Sequence, residues 1–242
     1  NLLPDGTVEP VARSEGVLLL ADLELAGKPV EDWGVARLWD IGDGVACFEI
    51  RSKMNTLGAG VLDALEAALA RVASGFKALV VGSDGPIYSA GADLRDFLRE
   101  VESGGPTAFG PYIDRGHRIF KSVKYAPFPV VGAAGGLALG GGCELLLHCR
   151  AIQAHAELNI GLVETRIGVV PGWGGCKEML PRFAEGHAGP KGPVAPAIAA
   201  FNLISAAKGE RLRCATPRLS APHRRHHHEP RPAHRRRQGE GA

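Results

Sequence analysis

The front of the chain alternates between hydrophobic patterns of period two and a helical pattern. Apolar and polar residues alternate along 36–41 and 45–50, and Gly42-Asp43-Gly44 joins these two runs, which predicts a β-hairpin. Apolar residues then recur at spacings of three and four over 58–74, which predicts a helix with one buried face. The apolar run 78–82 predicts a further strand. The first elements are therefore strand, strand, helix and strand.

Helical patterns follow later in the chain. Helices are predicted over 94–101 and 109–125, on either side of a Gly-Gly-Pro break, and over 193–208. In the second of these helices, the residues predicted to face inward are Ile113, His117, Ile119, Phe120 and Val123. In the last helix, the apolar positions are Ile198, Phe201, Leu203 and Ile204. Residues 1–35 carry scattered prolines and charges, which predicts a linker or an edge strand.

The glycines 140–142 lie at a strand-to-helix turn, between the β-branched run 129–131 and an apolar helical run. The N–H groups of a first helical turn have no partner within the helix, and glycine lets an anionic oxygen approach them. Glu144 follows within one turn, so the stretch combines donors for an oxyanion with a carboxylate that can move a proton. The alternative is a flexible turn whose acid is favoured only by the helix dipole. No G-x-G-x-x-G or phosphate-loop motif occurs at this turn, which argues against a nucleotide site.

Two further blocks lie on either side of this turn. Upstream is Tyr88-Ser89-Ala90-Gly91-Ala92-Asp93-Leu94, and downstream are Ile160-Gly161-Leu162-Val163-Glu164 and Gly168-Val169-Val170-Pro171-Gly172-Trp173-Gly174-Gly175. In this order the three blocks resemble the crotonase superfamily of enoyl-CoA hydratases and isomerases, and the resemblance covers residues 37–208. It implies an α/β fold built as a crotonase-like ββα spiral, the ClpP/crotonase fold, truncated at the C-terminus.

The resemblance also implies a set of site residues. The peptide N–H groups of Ala92 and Gly141 would bind the thioester oxygen of the substrate, and Glu144 and Glu164 would be the catalytic acids. The residues implied to seat the acyl-CoA are Lys53, Met54, Ala90, Asp93 and Leu94. Coenzyme A enters as part of the substrate, and the resemblance implies no bound cofactor and no metal.

The pair Glu144 and Glu164 favours a hydratase. Water addition to a 2-trans-enoyl thioester needs a base and an acid, which two carboxyl groups around one site can supply. In the family, double-bond isomerases usually keep one of these acids, whereas hydratases keep both. An isomerase and an inactive crotonase-fold module that only binds CoA esters stay open as alternatives. We expect His117, His148 and His155 to be core or surface histidines without a catalytic role.

Four positions depart from the family pattern. Val163 replaces a common proline, and Arg150 replaces a common aspartate. Cys176 stands in the place of a threonine, and Trp173 in the place of a small residue. Because Trp173 is so close to the acid-bearing loop, we expect its indole to narrow the acyl pocket or to change the preferred acyl chain length.

Further details resemble most the hydratase part of bacterial multifunctional β-oxidation proteins. They are S-K-M-N-T-L at 52–57, G-L-V-E-T-R-I-G-V-V-P at 161–171 and C-K-E-M-L-P-R at 176–182. In that subgroup a 3-hydroxyacyl-CoA dehydrogenase precedes the hydratase, and this chain begins with Asn1 rather than methionine. We therefore expect a fragment of a longer β-oxidation protein that carries such a dehydrogenase.

The composition is consistent with one domain in the cytoplasm. Hydrophobic residues make up 45% of the 242 residues, which is enough for one sizeable core. The sequence has no run of eighteen apolar residues and no signal peptide, so it predicts neither a membrane span nor export. The 5 cysteines, an odd number at unrelated spacings, favour reduced thiols over a disulfide framework or a zinc site.

Residues 209–242 differ abruptly from the rest of the chain. They hold nine Arg, five His and four Pro, and their net charge is +6, against −4 for residues 1–208. So little apolar surface cannot offset the entropy of ordering, which predicts a disordered basic tail. A nucleic-acid arm would use this charge but lacks interleaved aromatics and a binding motif, and three histidines at 226–228 offer no defined metal geometry. The preferred hypothesis is out-of-frame translation, and the family implies a trimer-based homo-oligomer for a chain with intact C-terminal helices.

Overall fold

Two β-sheets organise the part of the chain that the computed structural model describes, residues 4, 16–105, 109–184 and 194–211. The larger sheet has the strand order β1 (Glu31–Asp32), β2 (Ala36–Asp40), β3 (Val45–Ile50), β4 (Ala78–Gly82), β6 (Val130–Ala134) and β8 (Ala151–Ala154). The smaller sheet has the order β10 (Glu210–Arg211), β9 (Asn159–Gly161), β7 (Leu137–Leu139) and β5 (Ile87–Ser89). The α-helices of the described residues are α1 (Leu20–Ala26), α2 (Ala59–Gly75), α3 (Leu94–Gly104), α4 (Gly110–Lys124), α5 (Gly141–His148), α6 (Gly175–Ala184) and α7 (Val194–Ala206).

The chain repeats one pattern of two strands and a helix. β4, β6 and β8 run parallel in the larger sheet, and each is followed along the chain by β5, β7 or β9 in the smaller sheet. A helical segment comes after each such pair of strands. The predicted ββα spiral is therefore confirmed. The predicted hairpin is also present, because β2 pairs antiparallel with β3 from Ala36 opposite Ile50 to Asp40 opposite Ala46.

One continuous cluster of buried apolar side chains joins both sheets to the helices α2, α4 and α5. The face of α2 predicted to be buried is indeed buried, with Val61, Leu62, Leu65, Ala68, Leu69 and Val72 in this cluster. In α4 the predicted inward place of His117 is wrong, because His117 is exposed and Gly116 faces the core instead. A Cβ atom on Gly116 would overlap the indole of Trp173, so only glycine leaves room for that ring.

Only two of the four apolar positions named for α7, Leu203 and Ile204, contact the core. Ile198 and Phe201 are 55% and 69% exposed, and the core side is formed by Pro196, Ala200 and Ile204. The helix packs against α6, and Leu203 also contacts the core, whereas the large side chains of Ile198 and Phe201 remain at the surface.

The two ends of the described chain add edge elements. In the segment predicted as a linker or edge strand, α1 is followed by β1, which pairs with β2 at the edge of the larger sheet. At the other end, β10 pairs antiparallel with β9, so regular structure extends past Gly209 to Arg211. Residues 212–242, which hold most of the predicted tail, lie outside the described residues. In the described ranges, no helix combines the length and apolar character that crossing a bilayer requires.

Gly136 brings β7 close to β5 in the smaller sheet. It has a left-handed φ of 64°, and a Cβ atom on it would overlap the carbonyl group of Pro86. The Leu137 N–H donates to this same carbonyl oxygen at 3.3 Å. Glycine is needed here for both its conformation and its lack of a side chain.

Candidate active site

Two backbone amides lie side by side where β5 and β7 end. Gly141 is the first residue of α5, so its N–H has no acceptor within the helix. A Cβ atom built on Gly141 would be 3.3 Å from the Ala92 nitrogen, and one on Gly91 would be 3.0 Å from the Gly141 nitrogen. Within the described residues, neither the Ala92 N–H nor the Gly141 N–H donates to a protein acceptor. The two N–H donors are therefore adjacent and available to an acceptor atom of a ligand.

Glycines permit this close approach. Gly91 has a φ of 95°, and a Cβ atom there would be only 2.8 Å from the carbonyl oxygen of Leu139. Gly140 precedes α5 with a φ of 51°. A Cβ atom on Gly142 would be 2.7 Å from both the Cβ and the carbonyl oxygen of Ser89 at the end of β5. Larger residues would push α5 away from β5 and separate the two amides.

Glu144, in the first turn of α5, is buried and fixed by the backbone of a distant segment. Its side chain is 2% exposed, and its Oε1 atom accepts hydrogen bonds from the N–H groups of Trp173 and Gly175, both at 2.8 Å. Since Gly175 is the first residue of α6, the carboxyl group lies at the positive end of that helix. Burial, together with the nearby charge of Glu164, nevertheless raises the pKa of Glu144 to about 7, although the N–H groups of Gly175 and Trp173 act to lower it.

Glu164 offers a second buried carboxyl group, which begins a 3-10 turn, Glu164–Ile167, shortly after β9. Both of its carboxyl oxygens are buried without a hydrogen bond to the described residues. Burial raises the pKa of Glu164, although the nearby N–H groups of Val163 and Glu164 itself favour the charged form. The position of a Cβ atom on Gly140 is 3.4 Å from Oε1 of Glu164, which places this carboxyl group beside the turn that carries Gly141.

A cavity of about 950 Å³ opens onto these groups. All the residues predicted for the site line it, namely Lys53, Met54, Ala90, Ala92, Asp93, Leu94, Gly141, Glu144 and Glu164. Much of the remaining lining is apolar, with Phe97, Phe109, Ile113, Val169 and Val170. Ala92, Gly141 and Glu164 follow β5, β7 and β9 in turn, so the parallel strands of the smaller sheet bring them to one edge.

The residues predicted to seat the acyl-CoA have different surroundings. Lys53 and Met54 lie in a short 3-10 turn, and Met54 is 52% exposed at the edge of the cavity. The carboxylate of Asp93 caps α3 by accepting from the Arg95 N–H at 2.9 Å, and it also accepts from the Thr56 hydroxyl at 3.2 Å. Because the Arg95 guanidinium also binds it, the pKa of Asp93 is lowered. The Asp93 side chain is therefore already occupied in holding α3.

Trp173 lies behind the pair of amides. A Cβ atom on Gly141 would be 2.6 Å from Cζ3 of this indole, and the rings of Tyr112 and Phe120 stand near it with centroids at 5.4 and 5.2 Å. The side chain is buried and belongs to the cavity lining. The narrowing of the acyl pocket by this indole stays a prediction.

Histidines contribute nothing to the cavity lining in the described part of the chain. His148 is buried, its Nδ1 atom lies 2.8 Å from the carbonyl oxygen of Glu144, and burial lowers its pKa to about 4. His117 and His155 are exposed.

The sequence reasoning missed the groups that hold Glu144. The donors at Trp173 and Gly175 are 29 and 31 residues away along the chain. The P-G-x-G-G stretch indicated a turn, but no local pattern indicated which side chain that turn would bind.

Comparison with known proteins identifies the family. Residues 40–188 match the family model described as enoyl-CoA hydratase/isomerase. A probable 3-hydroxyacyl-CoA dehydrogenase of Bacillus subtilis is 36% identical over 174 residues, which are 72% of this chain and 22% of that protein. A putative fatty acid oxidation complex trifunctional enzyme of Rickettsia felis is 40% identical over 135 residues, which are 56% of this chain and 19% of that protein. The chain thus spans about a fifth of the length of these relatives.

Solved structures agree on the fold. An enoyl-CoA hydratase from Bacillus anthracis superposes with a TM-score of 0.60 at 24% identity, over 73% of this chain and 63% of that one. Pseudomonas aeruginosa AtuE superposes with a TM-score of 0.66 at 23% identity, over 78% of this chain and 69% of that one. Taken with the match of the family model, these findings show that the chain belongs to the enoyl-CoA hydratase/isomerase family of the crotonase superfamily.

Proposed function

We propose that this chain is an enoyl-CoA hydratase, which adds water across the double bond of 2-trans-enoyl-CoA thioesters. The observation that carries the proposal is the cavity in which two buried carboxyl groups, Glu144 and Glu164, lie with the amides of Ala92 and Gly141. An isomerase needs a single acid to move a proton, whereas water addition uses a base and an acid together.

The two amides would act on the thioester carbonyl. When hydroxide adds to the β-carbon of a conjugated thioester, negative charge develops on the carbonyl oxygen. Amide donors that are already in place stabilise this charge without reorganisation, and loss of one such donor typically costs roughly 3–4 kcal/mol of barrier. The apolar side chains that line the cavity lower the local dielectric, which strengthens such hydrogen bonds.

The two acids would divide the proton transfers. Glu144, bound by two N–H groups at a helix N-terminus, is the better candidate for the ionised base that takes a proton from water. Glu164, without such bonds, is the candidate for the neutral acid that protonates the α-carbon. Two carboxyl groups so close in an apolar site titrate as a coupled pair, and the pair ends each turnover with one proton, as it began.

The wider setting of the reaction is also part of the proposal. The names of the two relatives support a place in fatty-acid β-oxidation, within a longer protein that carries a 3-hydroxyacyl-CoA dehydrogenase. A cytoplasmic location and a trimer-based homo-oligomer stay predictions from the sequence.

Crotonoyl-CoA tests the proposed activity. Addition of the protein should abolish the absorbance of the conjugated thioester, and mass spectrometry should find a product heavier than the substrate by one water. An isomer of unchanged mass from a 3-enoyl-CoA, without hydration of crotonoyl-CoA, would favour the isomerase. Binding of acyl-CoA without any turnover would favour the inactive module.

The pH dependence of kcat/KM should follow the ionisation of Glu144. Because its pKa is raised to about 7 and the base must be ionised, kcat/KM should fall by about tenfold per pH unit below about pH 7. In Glu164→Gln the coupling to a second titrating carboxyl group is gone, so NMR titration of the ¹³C-labelled carboxyl carbons should find a lower pKa for Glu144. A rate profile that stays flat down to the ordinary range of a glutamate would contradict this assignment.

A further inference from the structure

The rim loop, residues 53–57, lies between β3 and α2 and borders the cavity through Lys53, Met54 and Thr56. Its backbone adopts left-handed φ values at two successive residues, 55° at Met54 and 52° at Asn55. Asparagine tolerates this conformation better than most residues, but methionine does not. Such a backbone persists only where its surroundings hold it in place.

The side chain of Asn55 ties the rim loop to the body of the protein. Its Nδ2 atom donates to the carbonyl oxygen of Ile87 at 2.8 Å and to the hydroxyl of Ser83 at 3.2 Å. Ser83 comes directly after β4, and Ile87 is the first residue of β5. One half-buried amide therefore fixes the loop to the connection between the two sheets.

The rim loop in turn holds the peptide that carries the Ala92 N–H. The Ala90 N–H donates to the carbonyl oxygen of Met54 at 3.1 Å, and the Leu57 N–H donates to that of Gly91 at 2.8 Å. Leu57 and Ala92 also form a parallel β-bridge. The Gly91 carbonyl and the Ala92 N–H belong to one trans peptide, so they point in opposite directions. The hydrogen bond from Leu57 to this carbonyl therefore sets the direction of the Ala92 N–H.

We propose that Asn55 is a positioning residue, which holds the rim loop in its left-handed conformation and thereby aims the Ala92 N–H at the thioester oxygen. The inference rests on the proposed function, because it takes the Ala92 amide as a donor to the substrate carbonyl. It adds a residue that is not part of the cavity lining. Asn55 ties the rim loop to Ile87 and Ser83, and Met54 and Leu57 of the same loop hydrogen-bond to the Ala90–Ala92 segment.

Asn55→Gly tests the contribution of the side chain separately from that of the backbone conformation. Glycine adopts the left-handed φ without cost but lacks the amide that binds Ile87 and Ser83. The probe is para-dimethylaminocinnamoyl-CoA, a conjugated thioester whose absorption band moves to longer wavelength when its carbonyl oxygen accepts hydrogen bonds. Its band position in the bound state reports on the donors without any turnover. Asn202→Ala, on the exposed face of α7, is the matched control.

The expected result has two parts. In Asn55→Gly the bound band should return toward its position in water, and kcat for crotonoyl-CoA should fall by about 10- to 100-fold, because a small displacement of a donor weakens transition-state binding. The dissociation constant of the probe should change little, and Asn202→Ala should match the unsubstituted protein in all three measurements. Asn55→Asp, which keeps the size of the side chain but not its N–H donors, should behave like Asn55→Gly.

A band of the bound probe that has the same position in Asn55→Gly as in the unsubstituted protein would overturn the inference. A variant that no longer binds the thioester would overturn it as well, because Asn55 would then maintain the whole site rather than one donor. Different results would contradict the proposed hydratase function. If the unsubstituted protein shifts the band and Asn55→Gly does not, but neither adds water to crotonoyl-CoA, the role of Asn55 stands and the hydratase proposal falls. If the unsubstituted protein binds the probe without a shift, the amide donors are misassigned and both proposals fall.

Discussion

Glu144→Gln is expected to lower kcat for hydration of crotonoyl-CoA by roughly 10²- to 10⁴-fold, the usual contribution of a general base. Glutamine keeps the size of the side chain, and its carbonyl oxygen can accept the same hydrogen bonds from Trp173 and Gly175. The amide cannot take a proton from water, so the chemical step is lost while the packing at the start of α6 is kept. Stopped-flow absorbance at saturating substrate measures the change directly.

Two further variants distinguish the loss of a negative charge from the loss of a proton transfer. Glu157→Gln removes one exposed carboxylate and should leave kcat unchanged. Glu164→Gln should lose activity on the same scale as Glu144→Gln, because both proton transfers belong to one reaction. A Glu144→Gln protein that binds substrate and keeps most of its kcat would rule out Glu144 as the base.

Gly136→Ala is expected to lower the free energy of unfolding by about 2–5 kcal/mol. The left-handed φ alone costs a residue with a Cβ about 1–2 kcal/mol. The added methyl group would also overlap the carbonyl group of Pro86, and overpacking of this kind costs about 1–3 kcal/mol. Pro86 contributes a backbone group here, so it cannot move aside by a change of rotamer. Urea denaturation followed by circular dichroism measures the difference.

Gly34→Ala is the matched control for the backbone effect. Gly34 has a φ of 77°, close to that of Gly136, but a Cβ atom there would meet no other atom within 4 Å. Gly34→Ala should therefore lower the free energy of unfolding only by the cost of the left-handed backbone, about 1–2 kcal/mol. Equal losses in the two variants would show that the approach of β7 to β5 tolerates a side chain.

Local pattern was enough to predict several elements, and the order of three motifs was enough to select the candidate site residues. The helix α2 and the hairpin of β2 and β3 follow from periodicity within short windows, because each buries one face. The turn around Gly141 and the acids Glu144 and Glu164 stood out through their order and spacing, and the structure brings them to one cavity.

Other features depend on contacts that no local window contains. The exposure of Phe201 and the inward position of Gly116 depend on which neighbours α7 and α4 meet, and Gly116 is inward because Trp173 packs against it. The hydrogen bonds that fix Glu144 come from a segment that is distant in sequence. No pattern in the sequence indicates the left-handed backbone of Met54, since methionine rarely adopts it.

The spiral places Ala92, Gly141 and Glu164 at matching points, just after the successive strands β5, β7 and β9. Each turn of the spiral thus contributes one part of the candidate site from its own loop, and the sheets align these loops. A substitution on the cavity side of one loop, away from its contacts with the other two, leaves the strands that align all three loops unchanged. Evolution can therefore exchange reactions on this scaffold one loop at a time, without rebuilding the domain that carries them.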